Sequence, residues 1–172
     1  MKLDDDDFTL FGLPPRFALD RSGLDARWRS LQAEVHPDRF ASEGAAAQRV
    51  AMQWAVRVNE AYQRLKNPLT RGAYLAGLRG ARVDAERNTA MPLDFLQQQM
   101  AWREALDDAS GLRALESLEQ EVDAQYRQRL QALERALDVQ ADAADAAQHV
   151  RALMFIERFR EDIGRRIEQN HA

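Results

Sequence analysis

His36-Pro37-Asp38 places an imidazole and a carboxylate two positions apart, across a residue that fixes φ and carries no backbone donor. An imidazole beside a carboxylate can move protons or, with further donors, hold a metal. The sequence supports neither use. No nucleophile or oxyanion arrangement accompanies the pair, and the other histidines, His149 and His171, lie far off without a ligand spacing such as H-x-x-x-H. The 172 residues include no Cys, so disulfides, thiolate metal sites and cysteine nucleophiles are excluded. The expectation is a protein that is not an enzyme, with no catalytic residue, no metal and no cofactor. His149 reads as a solvated helix residue and His171 as a disordered tail. The tripeptide then has two readings: a helix stop in which Asp38 caps the next turn, or a stiff exposed corner presented for recognition.

The elements that position this corner follow from periodicity. Glycines and prolines are few, at 8 and 5, and Ala, Leu, Arg, Glu and Gln dominate, so the expected class is all-α. Phe8 to Leu13 forms a short apolar segment between Asp4–Asp7 and Pro14-Pro15. Leu24, Trp28, Leu31 and Val35 recur at helical spacing, with Asp20 or Ser22 as cap, until Pro37 ends the run. After a loop from Asp38 to Gly44, the stripe Ala51, Trp54, Ala55, Val58, Tyr62 and Leu65 predicts a helix antiparallel to the previous one, and Pro68 to Leu78 a shorter fourth. The interval from Gly77 to Met91-Pro92 lacks periodicity and marks the boundary, which gives domains at 1–78 and 92–172 joined by a linker at 79–91. Beyond it, Pro92 to Asp107, a stripe from Leu112 to Leu137, and Asp142 to Gln169 read as three amphipathic helices in an up-down-up bundle.

Charge and hydropathy bound the partners. With 24 Lys+Arg against 28 Asp+Glu, the net charge is -4, whereas a dedicated nucleic-acid binder usually carries a basic excess. Charges interrupt every apolar run well short of bilayer length, and Met1-Lys2-Leu3 leads into Asp4–Asp7 rather than an apolar leader. The expectation is a cytoplasmic protein that binds neither nucleic acid nor membrane.

Downstream of the corner, Asn59-Glu60-Ala61-Tyr62, Leu65, Pro68, Arg71 and Tyr74 keep the spacing N-E-A-Y-x-x-L-x-x-P-x-x-R-x-x-Y. With His36-Pro37-Asp38 ahead of it, this set is similar to a J domain, a helical hairpin with the tripeptide in its loop. More specifically, Phe8-Thr9-Leu10-Phe11-Gly12-Leu13-Pro14, His36-Pro37-Asp38-Arg39-Phe40-Ala41-Ser42 and a bundle directly after the hairpin resemble the HscB family of J-type co-chaperones over essentially the whole chain. The resemblance implies an N-terminal J domain and a C-terminal three-helix bundle. It implies two partners, an HscA-type ATPase chaperone of the DnaK class and an IscU-type iron–sulfur scaffold protein. The expected role is to deliver the scaffold and stimulate ATP hydrolysis by the chaperone.

Two surfaces would carry this role. Turning the second helix's apolar stripe inward leaves Arg29 outward and Arg27 on the flank, with Arg39 just past the loop. The resemblance implies that this patch, with His36, Pro37 and Asp38, meets an acidic chaperone surface; the alternative is ordinary solvated arginines. Asp25, Ser30 and Glu34 dilute the patch. In the helix Pro92 to Asp107, Phe95, Gln99, Trp102 and Leu106 share one wedge, while Leu93, Leu96 and Met100 fall opposite and continue into Glu104, Asp107 and Asp108. A surface helix has no structural need for a second apolar stripe. Leu96, Met100, Glu104 and Asp108, with Phe155 from the last helix, match the family's scaffold-facing pattern; Gln97 and Ala101, often Met and acidic in relatives, depart from it. Packing of Leu96 and Met100 against the J domain, and a core role for Phe155, are the alternatives. Two other functions stand open: a J-type co-chaperone with a different client, and a helical nucleic-acid-binding or scaffold protein.

Overall fold

The computed structural model describes residues 1–83 and 91–171. Among these, the regular elements are seven α-helices and one 3-10 helix, with no strand: α1 (Asp7–Leu10), α2 (Arg21–Val35), the 3-10 helix Pro37–Glu43, α3 (Ala45–Lys66), α4 (Pro68–Leu78), α5 (Leu93–Asp108), α6 (Leu112–Asp138) and α7 (Ala143–His171). The chain forms two compact units, Met1–Leu75 and Ala76–Ala172, so the division falls within α4. The expected linker, 79–91, lies partly outside the described residues.

In the N-terminal unit, α2 and α3 form an antiparallel hairpin: Val35 and Ala51 line one end of it, and Asp25 accepts from the Tyr62 hydroxyl at the other. Leu24, Leu31, Val35, Ala51, Val58, Ala61, Tyr62 and Leu65 are buried between the elements. Trp28 sits at the margin, half-buried and stacked on Tyr62 at 4.4 Å between ring centroids. The first helix is shorter than its apolar pattern, because Asp6 caps it by accepting the Thr9 amide at 3.0 Å and the Thr9 hydroxyl at 2.7 Å, and the chain leaves it at Phe11. The expected loop from Asp38 to Gly44 is a 3-10 helix, and it joins α3 at Gly44, whose φ of 100° and ψ of 171° suit only glycine.

The spacing pattern of α3 and α4 is mostly scaffolding. Arg71, buried, donates from Nε to the Phe17 carbonyl at 2.8 Å and from Nη1 to the Leu65 carbonyl at 2.7 Å. The Tyr74 hydroxyl accepts the Asp7 amide at 3.0 Å. Asp7 is itself fully buried, 2.8 Å from Arg57 Nη1 and 3.4 Å from Arg64 Nη1, and Arg57 also donates to the Leu3 and Asp5 carbonyls. The acidic run Asp4–Asp7 thus supplies a cap, Asp6, and a buried counter-ion, Asp7.

In the C-terminal unit, Trp102 on α5 reaches Glu121 on α6, and Arg129 of α6 lies over Phe95 of α5, so α5 and α6 run antiparallel. Asp123 meets Arg160 at 2.7 Å and Arg129 meets His149, so α7 reverses again and completes the up-down-up bundle. Phe95, Trp102, Leu106, Leu115, Leu118, Val122, Ala152, Ile156, Phe159 and Ile163 form its core.

Candidate functional site

The corner between α2 and α3 is held by its backbone. Pro37 occupies the first position of the 3-10 helix, where a missing N–H costs nothing. His36 caps it: Nδ1 accepts the Asp38 amide at 3.3 Å, and the Arg39 amide donates to the His36 carbonyl at 3.0 Å. The same Nδ1 lies 3.7 Å from Asp38 Oδ2, so the imidazole and the carboxylate stand side by side. The side chains of His36 and Asp38 remain 59% and 91% exposed. The tripeptide is at once a helix stop and an exposed corner, with His36 rather than Asp38 as the cap.

Arg27 and Arg29 are exposed on α2, as is Arg39, whose Nη1 donates to the Ala33 carbonyl at 3.2 Å in the last turn of α2. Asp25 dilutes this surface less than its charge suggests. The Tyr62 hydroxyl donates to Oδ1 at 2.7 Å and Arg21 Nε at 2.9 Å, and these two contacts, Tyr62 first, hold its pKa below the usual carboxylate value.

On α5, Phe95, Trp102 and Leu106 face the core, while Leu93, Leu96 and Met100 are 70%, 39% and 66% exposed. Glu104, Asp107 and Asp108 continue that face, all exposed. The expected second stripe is therefore a solvent-facing apolar strip ending in carboxylates. Gln99, placed in the core wedge by spacing, is only half-buried. Phe155 is half-buried too: its ring meets Phe95 edge-on at 5.9 Å and stacks on Phe159 at 6.0 Å, with Arg103 over its face. It belongs both to the margin of the core and to the surface.

Two sequence readings are overturned, and the first is the tail: His171 is the last residue of α7. His149 is no solvated residue: its side chain is 16% exposed, between Asp145 and Arg129, each at 3.2 Å. Burial pushes its pKa below the ordinary histidine value, against the opposing pull of Asp145. The i, i+4 spacing of Asp145 and His149 was the available signal; Arg129, on another helix, was not visible from spacing.

Among the described residues, no group of His, Asp and Glu converges as a metal site, and no helix is long and apolar enough to cross a membrane. The geometry leaves two exposed surfaces, one polar at the α2–α3 corner and one apolar on α5. Residues 91–164 match the family model described as HSCB C-terminal oligomerisation domain. The co-chaperone protein HscB homolog of Burkholderia multivorans is 51% identical over 98% of both chains. The solved chaperone HscB from Vibrio cholerae is 36% identical with a TM-score of 0.81, over 96% of this chain and 99% of that one. The human co-chaperone HscB structure is 26% identical with a TM-score of 0.88, over 96% of this chain and 84% of that one. A tripeptide corner on a helical hairpin, a bundle with a second apolar face, and relatives alike from end to end place the chain in one family: it belongs to the HscB co-chaperones, with an N-terminal J domain and a C-terminal helical bundle.

Proposed function

We propose that the protein is a cytoplasmic, non-enzymatic adaptor of iron–sulfur cluster assembly, which brings an IscU-type scaffold protein to an HscA-type ATPase chaperone of the DnaK class and stimulates ATP hydrolysis by that chaperone. The J domain, 1–78, engages the chaperone through His36, Pro37 and Asp38, with Arg27, Arg29 and Arg39 steering the encounter. The bundle, 92–172, carries the scaffold on Leu96, Met100, Glu104, Asp108 and Phe155, and 79–91 link the two. The observation that carries this reading is the corner itself. His36 caps the 3-10 helix through Nδ1, the Asp38 carboxylate lies 3.7 Å from that atom, and both side chains stay largely in water. Such groups cost the fold little and suit a partner that needs a donor and an anion at a fixed separation.

The apolar strip of α5 supports the second half of the proposal. Leucine and methionine side chains contribute about 1.5–3 kcal/mol each when a partner buries them, and the carboxylates at the far end select a partner with basic groups beside an apolar patch. Tethering the scaffold to the J domain raises its effective concentration at the chaperone to the order of mM without a new contact. The test is the ATPase rate of a purified HscA-type chaperone with this protein, with and without scaffold. Stimulation by the protein alone, and a further rise on adding scaffold, is the expected result. A different client is the second reading, favoured by Gln97 and Ala101 on the α5 face; a pull-down with purified IscU-type scaffold separates the two.

A further inference from the structure

Behind the α5 face lies a chain of contacts for which the proposed function has no use. On α7, Nε2 of His149 lies 3.2 Å from Asp145 Oδ2, and on the other side Nδ1 lies 3.2 Å from Nη1 of Arg129 on α6. Arginine only donates, so Nδ1 accepts and the imidazole proton sits on Nε2, donated to Asp145. The two neighbours fix one neutral tautomer. Arg129 continues the chain, with Cζ 4.9 Å from the ring centroid of Phe95, and the Phe95 ring meets Phe155 edge-on at 5.9 Å. Phe95 is buried in the first turn of α5, flanked in sequence by Leu93 and Leu96 of the exposed strip.

We infer that neutral His149 is a positioning residue for the docking face: it holds Arg129 on Phe95, and Phe95 seats Phe155 and the first turns of α5 that present Leu96 and Met100. This rests on the docking reading of that face. The charged groups around the relay are Asp145 on α7, Arg129 on α6 and Asp94 on α5, the last acting on Arg129. A second proton on His149 must go to Nδ1, where it removes the acceptor of Arg129 and meets a like charge. Burial and Arg129 both oppose that proton, Asp145 favours it, and the balance lies below the ordinary histidine value. The relay is therefore intact at neutral pH and opens on acidification.

His149→Gln tests the relay, because the amide keeps an acceptor for Arg129 and a donor for Asp145 but does not titrate. In the wild-type protein the ring resonances of Phe95 and Phe155, and the methyl resonances of Leu96 and Met100, should follow the same transition as the ring protons of His149. Affinity for purified IscU-type scaffold should weaken several-fold as the pH falls from about 7.5 through the transition of His149. His149→Gln should bind as the wild type does at the upper pH and lose the part of the acid response that His149 causes. Phe155, Leu96 and Met100 resonances that stay still while His149 titrates overturn the inference, as does an unchanged acid response in His149→Gln. Resonances that follow His149 in a protein that never binds the scaffold remove the docking reading and leave the positioning role standing.

Discussion

The two proposed recognition surfaces rest on opposite kinds of support. In the N-terminal unit the exposed corner is defined by backbone devices, with Pro37 at a helix start, the His36 cap and Gly44 at a φ only glycine tolerates, while buried charge holds the surrounding helices through Asp7 and Arg71. In the C-terminal unit the exposed strip is the outer side of a core helix, and one of its proposed members, Phe155, is also a wall of the aromatic stack. At the corner the proposed recognition residues touch stability only through the His36 cap, an exposed contact at 3.3 Å. On the bundle the proposed face shares a core side chain, so a change there has to be read in both.

The sharpest way to break this comparison is at the corner. His36→Gln or Asp38→Asn should abolish stimulation of the chaperone's ATPase, while far-UV circular dichroism and the melting temperature stay within the small range of ordinary surface changes, about ±0.5 kcal/mol. A variant that still stimulates at the wild-type rate removes the corner from the proposed interface. A large fall in melting temperature would show that the corner is structural after all.

Next in size is the buried carboxylate. Asp7→Ala leaves Arg57 and Arg64 without their counter-ion and should cost about 3 kcal/mol, at the lower end for a broken buried pair because both arginines reach solvent. Urea unfolding measures it. A cost near zero would mean that water replaces the carboxylate without penalty, and the contrast between the units would lose its N-terminal half.

On the bundle face the effects should split. Leu96→Ala with Met100→Ala should cost under about 0.5 kcal/mol each, as exposed truncations do, and sharply weaken scaffold binding. Phe155→Ala should weaken binding too, and also destabilise by about 2 kcal/mol, roughly half of what a fully buried phenylalanine costs. Equal melting temperatures for the three changes would place Phe155 wholly on the surface.

How far the sequence reaches differs along the same lines. Helical spacing places Phe95, Trp102 and Leu106 inward and Leu93, Leu96 and Met100 outward, because a period within one helix decides both. The motif places the corner, since Pro37 stops one helix wherever it stands. What spacing misses is contact between elements distant in sequence. Asp7 looks like one more member of an acidic run, yet it alone turns inward to Arg57 and Arg64 on α3; Arg71 looks like a surface cation and is buried against two carbonyls. His149 looks solvated because its partner, Arg129, sits on the preceding helix. Phe155 is ambiguous in sequence and half-buried in the structure for one reason: it falls at the edge of its helix's inward stripe.

The smallest expected effect concerns Asp25, whose lowered pKa comes first from the Tyr62 hydroxyl and then from Arg21. Tyr62→Phe keeps the ring that stacks on Trp28 at 4.4 Å and removes only the donor. The Asp25 pKa should then rise toward the ordinary carboxylate value, with a small loss of stability at neutral pH. The sign of the pH dependence follows from linkage. A carboxyl whose folded pKa is lowered contributes its full stabilisation above the unfolded value, about 3.9, and loses it as the pH falls through the folded value. The stability gap between wild type and Tyr62→Phe should therefore be widest at neutral pH and shrink on acidification below about pH 4, as Asp25 takes up its proton in both proteins. Paired melts across that range, with the Asp25 carboxyl followed by NMR, measure both quantities. A gap that stays constant with pH would assign the Tyr62 hydroxyl's contribution to something other than the charge on Asp25.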